Sequence, residues 1–362
     1  MAYRYITDAS VQAEENISTT EVCALYSPRR PAPDYFFGPV PGWMGRYFFG
    51  DSCSPAVNLF QIDRVNLFGN RLLYRGADFF CLEPNGVHPG TFESEITRLR
   101  SAGVAHTRVI EDEVVLLIGP AYDIFGHWLI DFMPRIQVLI EAGFKPQELK
   151  FLLPSDLPDF ALEWLGLIGI SSGQVIRYDI HREICQIRRA LIPSNLRGDG
   201  RASPLMARAA ETFREGALGR QQPQQLRRTF ISRNRWQNGA KGHRQITNGA
   251  ELEQIASDHG YDIVHPQDLG IREFMSVVLE SRVIVGEYGS GMHWSIFAQP
   301  STDIVCLRGT LGHPGFLQSG LCEALGQRHG YVFGTTREEG PYHVSTFDRD
   351  DLRACLKLIE TA

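Results

Sequence analysis

The hydrophobic and polar positions change rhythm along the chain. Up to about Gly103, short apolar or aromatic runs (YFFG, AVNLFQI, VNLFGN, RLLYRG, DFFCLE) are separated by Gly, Pro, Asn and Asp, which predicts β strands joined by turns in an antiparallel layer. From Glu113 strands and helices alternate. VVLLIG predicts a buried strand, and FGHWLIDFMPRIQVLIEAG a helix closed by Gly143, with Pro134 kinking or restarting it. KFLLP, QVIRYD and ICQIRRALIP add strands and LPDFALEWLGLIG an amphipathic helix, so this part is α/β with a parallel sheet. A second α/β unit opens at Thr229. TFISR, YDIVHP, VIVG and DIVCLRG are its strands; ITNGAELEQIASDHG, with Asn248 as N-cap and Gly260 as stop, and LGIREFMSVVLES are its helices. The expected organisation is an N-terminal domain over 1–200 with a β-rich start, a polar, turn-rich linker over 201–226 around a short helix near Met206 to Ala217, a second domain over 227–345, and a C-terminal helix over 346–362 able to cross back to the first domain.

One stretch stands out for chemistry, VIVGEYGSGMHWSIF from Val283 to Phe297. An apolar strand stops at a loop whose glycines Gly286, Gly289 and Gly291 allow a sharp turn and close approach of a ligand. A helix starting near Ser290 would turn its free N–H groups toward an anion such as a phosphate. The same glycines would also suit a tight turn that serves packing alone. In a doubly wound domain the ligand lies beyond the carboxyl ends of the strands, so Arg233, His265 and the Gly286 loop are expected to face one crevice. In the first unit His127, Asp131 and Arg135 recur every four residues on an otherwise apolar helix. They either line a cleft or form a structural ion-pair stripe.

Composition narrows the class. The 362 residues favour two domains, and 43% hydrophobic with 22% charged residues is ordinary for a globular protein. Seven cysteines without a C-x-x-C pair suit a reducing compartment and offer no metal site. Without a signal-like N-terminus or a membrane-length apolar run, the expected location is cytoplasmic. His88 and His106 stand alone, and Asp348-Arg349-Asp350 reads as the acidic first turn of the tail helix rather than a D-x-D metal motif. The net charge of −6 hides a basic segment: from Arg182 to Arg244 fourteen Arg or Lys, Lys241 among them, face four acids. That asymmetry suggests a focused anion site or contact with an acidic membrane surface, and without interleaved aromatics it argues against nucleic acid.

FGHWLIDFMPRI, TFISR, RQITNGAEL, DIVHPQDLGIREFM and VIVGEYGSGMHWSIFA, in that order, resemble glycosyltransferase family 61. The resemblance runs from about Glu113 to Arg308. It implies a GT-B-like fold of two Rossmann-like domains facing across a cleft. It implies also an inverting, metal-independent transfer from a nucleotide sugar, UDP-linked by preference, to a saccharide or other hydroxyl acceptor, as in bacterial capsule or exopolysaccharide synthesis. No cofactor is expected; peripheral contact with a membrane or synthesis machinery, and oligomers, stay open. Arg233, Arg244 and the N–H groups of Gly289, Ser290 and Gly291 are the candidates for the diphosphate, with Tyr288 and His265 beside them. His127 with Asp131 is one candidate base, and Glu287 is the rival base or a ribose ligand. Two positions depart from the family pattern: Tyr288 stands for a histidine and Trp294 for an asparagine. A non-catalytic carbohydrate-binding protein on the same fold is the alternative; an NAD-dependent oxidoreductase is disfavoured because GEYGSG is not G-x-G-x-x-G.

Overall fold

Each of two units is organised on an apolar core of its own: Met1–Tyr26 with Pro55–Arg197, and Ser27–Ser54 with Gly198–Ala362. The computed structural model describes residues 4–25, 32–49, 54, 56–86, 89–101, 106–198, 200–220, 223–235, 244–311 and 316–361, which leaves His88, Lys241 and Cys53 outside the described residues.

The first unit is built on a nine-stranded sheet. Val57–Phe68 alternates apolar and polar residues and buries Leu59, Phe60, Ile62, Val65 and Leu67. It pairs antiparallel with Ile17–Cys23, Leu72–Arg75 and Glu183–Pro193. From Glu183–Pro193 onward the sheet is parallel: His106–Leu116 lies beside it, then Lys150–Pro154, then Val175–Tyr178. The expected antiparallel layer is therefore present but continuous with the parallel sheet, because Glu183–Pro193 serves both. A helix over Pro89–Ser101 interrupts what the sequence suggested was all strand.

The long helix expected after VVLLIG comes in pieces. A single turn at Phe125–His127 leads into a π-helical segment, Trp128–Phe132, in which the Met133 N–H reaches the Trp128 carbonyl at 2.9 Å. Pro134, which has no N–H to donate, ends that segment, and an α-helix restarts over Arg135–Glu141. π-helical turns are rare and concentrate at functional sites.

The second unit has a sheet whose five central strands run parallel in the spatial order Asp262–Val264, Arg227–Ile231, Ser281–Glu287, Asp303–Gly309, Arg328–Glu339. Numbered along the chain, this is the doubly wound order 2-1-3-4-5. The hairpin partner Tyr342–Thr346 extends it antiparallel, followed by Arg244–Ile246 at the far edge. Tyr35–Phe37, from the early part of the chain, pairs with Arg328–Glu339.

Two boundaries differ from expectation for packing reasons. Inside the stretch expected to link the domains, the short helix expected near Met206 to Ala217 is present as Leu205–Leu218, and it buries Leu205, Met206, Ala209, Ala210, Phe213 and Ala217 in the second unit. The tail helix Arg349–Glu360 packs within the second unit, where its Leu352, Cys355, Leu356 and Ile359 share a core with Tyr35, Leu252 and Val305. Asp348 caps it, accepting from the Asp350 and Asp351 N–H groups, as its sequence suggested. No helix among the described residues is long and apolar enough to cross a membrane.

Candidate active site

In each unit the polar groups gather where the order of parallel strands reverses, which is where open α/β sheets bind ligands. In the first unit the reversal lies between His106–Leu116 and Glu183–Pro193. The chain leaving the first strand carries His127 and Asp131, and the chain leaving the second carries Arg197. His127 Nδ1 lies 2.6 Å from Asp131 Oδ2. Arg197 holds the same carboxylate, with Nη2 at 2.8 Å from Oδ2 and Nε at 2.6 Å from Oδ1. The acceptor-only carboxylate fixes Nδ1–H as the donor, so the Nε2 lone pair is left for other work. The His127 side chain is 41% exposed and that of Asp131 only 12%.

Burial alone would raise the Asp131 carboxyl, but the Arg197 charge and the hydrogen bonds from His127 and Arg197 outweigh it and hold it down at about 2. A carboxyl held low in the folded state stabilises the fold fully above pH 4, and the contribution is lost as the pH falls toward 2. Asp131→Asn should therefore remove about 2 kcal/mol of stability at pH 6 and much less near pH 2. Urea unfolding at the two pH values checks this; an equal loss at both would refute the ion pair.

Arg135, the third member of the stripe, has a different job. It is fully buried, and its Nε donates to the Asp131 backbone carbonyl at 2.7 Å, with Nη1 on the Ile118 carbonyl at 2.5 Å. It ties the π segment to the end of the strand. The structure thus divides the stripe: His127 and Asp131 form a half-open pair and Arg135 is a brace.

In the second unit the reversal lies between Arg227–Ile231 and Ser281–Glu287, and Arg233 and Glu287 emerge there side by side. Arg233 Nη1 is 3.2 Å from Glu287 Oε1. Arg244 comes from the far edge of the sheet and donates from Nη1 to the Tyr288 carbonyl at 2.8 Å. Gly289, at φ +151°, makes room for both: a Cβ there would stand 2.9 Å from Arg244 Nη2 and 3.5 Å from Arg233 Nη1. The other two glycines serve packing. A Cβ on Gly286 would meet Met292 Sδ at 2.6 Å and the Ile231 carbonyl at 2.9 Å, and one on Gly291 would press on Ile231.

The expected helix after the loop is a short 3-10 turn, Met292–Phe297, too short to add much dipole. The N–H groups of Met292, His293 and Trp294 bond back to Gly289, Ser290 and Gly291, whereas those of Ser290 and Gly291 have no backbone carbonyl partner among the described residues. What this loop can offer an anion is therefore guanidiniums and two amides, with little helix dipole.

A cleft opens beside these groups, lined among others by Arg244, Glu287, Tyr288, Arg308, Thr336 and His343. Glu287 is the single carboxylate among its described lining residues. Burial raises the Glu287 carboxyl, against the pull of Arg233 and Arg244. Arg308, unremarked in the sequence, lies 5.3 Å from the centroid of the Tyr288 ring and 4.9 Å from that of Trp43. Arg244 lies 5.9 Å from the Tyr288 centroid, so one ring serves two guanidiniums. The Tyr288 phenol accepts from the Leu317 N–H at 3.2 Å, and burial pushes its pKa up to about 12. Trp294 is buried against Phe274 and Phe297 below the loop, so this departure from the family pattern does not intrude on the cleft. His265 is not brought to this group. It follows the outermost parallel strand and lines a different cleft with Arg235, Glu253 and Asp268.

Arg197 and Arg308 are the residues that sequence reasoning missed. Arg197 followed a strand without any motif around it, and Arg308 stood near the end of another in the same way. No group of three or more His, Cys, Asp or Glu placed to hold a metal occurs among the described residues.

No curated protein matches the chain. The family model described as Glycosyltransferase 61 matches residues 125–305, which is half of the 362 residues and contains His127, Asp131, Arg197, Arg233, Arg244 and Glu287. The chain belongs to glycosyltransferase family 61, and glycosyl transfer is the chemistry its two polar clusters have to explain.

Proposed function

We propose that the protein transfers a sugar, with inversion, from a nucleoside diphosphate sugar to a hydroxyl of a saccharide acceptor. The observation that carries this reading is the convergence of Arg233 and Arg244 over Gly289 at the strand reversal of the second unit. Two fixed guanidiniums with free loop amides suit the diphosphate of a donor, and a planar fork gives each phosphate paired hydrogen bonds. The first unit would supply the other half of the chemistry. His127 Nε2 takes the proton from the acceptor hydroxyl, while Asp131 and Arg197 keep the ring in its tautomer and orientation. The acceptor oxygen attacks the anomeric carbon on the face opposite the diphosphate, the bond to the diphosphate oxygen breaks, and Arg233 and Arg244 stabilise the charge that develops there.

A UDP-linked donor, a GT-B arrangement, a cytoplasmic location and a part in bacterial polysaccharide synthesis belong to the same proposal and rest on the family likeness. A thermal-shift panel of UDP, GDP, CMP and their sugars tests it, because a ligand bound only by the folded state raises the melting temperature. The expected result is stabilisation by one class of nucleotide together with slow hydrolysis of its sugar in the absence of acceptor. Stabilisation without any hydrolysis would instead indicate a non-catalytic binding protein.

A further inference from the structure

Glu287 stands where an incoming anion would go. It ends the strand Ser281–Glu287 with its side chain only 15% exposed and its Oε1 3.2 Å from Arg233 Nη1. The groups around it come from four elements. Arg233 follows the neighbouring strand, Arg244 reaches in from the far edge, Arg308 ends the strand on the other side, and His343 lines the cleft from the hairpin. Tyr288 adjoins it in the chain. The guanidiniums stay charged at every pH of interest, and the Tyr288 phenol, at about 12, stays neutral.

A diphosphate that reached Arg233 and Arg244 would bring negative oxygens against this carboxylate in a partly dry cleft. Two such anions side by side do not both stay ionised when a proton is available. We infer that Glu287 is the internal counter-anion of the donor cleft: it neutralises Arg233 in the empty protein, and yields that cation to the donor diphosphate by taking up one proton. The inference rests on the donor reading above. No covalent bond to carbon or phosphorus changes in this step; one ion pair is exchanged for another, and a proton from solvent ends on a Glu287 oxygen. Burial already favours the protonated form, and replacing the pull of Arg233 by a neighbouring dianion favours it further. Donor affinity should then be highest at low pH and fall by up to about tenfold per pH unit where the carboxyl is ionised in the free protein and protonated in the complex, since one proton is bound with each donor there.

Titration calorimetry of the full chain with UDP-glucose, UDP-N-acetylglucosamine and GDP-mannose, each a diphosphate diester that stays dianionic from pH 5 to 9, tests this directly. Measured in buffers of different ionisation heat at pH 8, wild-type binding should take up close to one proton. Glu287→Gln should bind at least tenfold more tightly than wild type at pH 8 and take up none, and His343→Gln should leave the uptake in place. Affinity that is constant with pH, with no uptake, would overturn the counter-anion role, as would weaker binding by Glu287→Gln, the result expected of a ribose ligand. Failure of all three sugars to bind would overturn the donor reading and this inference with it. The wild-type proton count needs no variant, so a Glu287→Gln protein that failed to fold would leave the test intact.

Discussion

His127→Ala should lower the transfer rate by about 10²–10⁴-fold, the usual worth of a positioned general base, while nucleotide binding stays as in the wild type. The separation is expected because His127 belongs to the first unit and the diphosphate groups to the second. At 41% exposure the imidazole contributes little to the core, so the variant should also melt normally. Asp131→Asn is the sharper companion. An amide in place of the carboxylate can offer Nδ1 a donor, which selects the wrong tautomer, and it leaves Arg197 without its anion. Single-turnover rates measured with donor in excess would check both. Unchanged rates in either variant would remove the pair from the mechanism, and lost nucleotide binding would show that it is structural.

Arg233→Ala should do the reverse and raise the donor Kd by roughly 10–100-fold, the order expected when one charged hydrogen-bonding group is removed. Turnover at saturating donor should fall as well, because the charge on the departing diphosphate grows in the transition state. The variant also deprives the buried Glu287 of its nearest cation, so part of the loss comes from an uncompensated carboxylate beside the phosphates. Arg233→Lys is expected to recover only part of the affinity, since an ammonium offers a point charge in place of a fork. Calorimetric titration with the nucleotide chosen by the thermal-shift panel decides the matter, and an unchanged Kd would move the donor away from this strand reversal.

How much of this was legible in the sequence depends on what had to be near what. Buried parallel strands announce themselves through unbroken apolar runs, so KFLLP, VIVG and DIVCLRG lie in strands, and VVLLIG and TFISR begin in strands and run past their ends. The His127–Asp131 pair was legible because both members lie within one turn. Arg197 was not, since it lies 66 residues from Asp131 in sequence and reaches it only through the pairing of two strands. Arg244 was placed near the loop by the family motif, but its route from the far edge of the sheet follows from the hairpin Arg328–Glu339 with Tyr342–Thr346, which has no strong sequence signal. The basic segment misled in one respect. Part of its charge is spent on structural ion pairs such as Arg189 with Asp63 and Arg227 with Asp262, and the short helix expected in it near Met206 to Ala217 buries its apolar face in the second unit. His265 failed for a simpler reason: it follows the outermost strand, one strand removed from the reversal, and lines a different cleft.

The strand Tyr35–Phe37 has a consequence for how the protein must be made. It pairs with Gly330 to Val332, and the Asp34 carboxylate accepts from the His329 N–H at 2.8 Å, so the second unit closes on residues synthesised almost three hundred positions earlier. At a ribosome adding about 5–20 residues per second, that early segment waits for its partner until nearly the whole chain has emerged. A fragment beginning near Gly198 would expose a sheet edge and one wall of its core, and should aggregate unless a peptide covering residues 32–49 is supplied in trans.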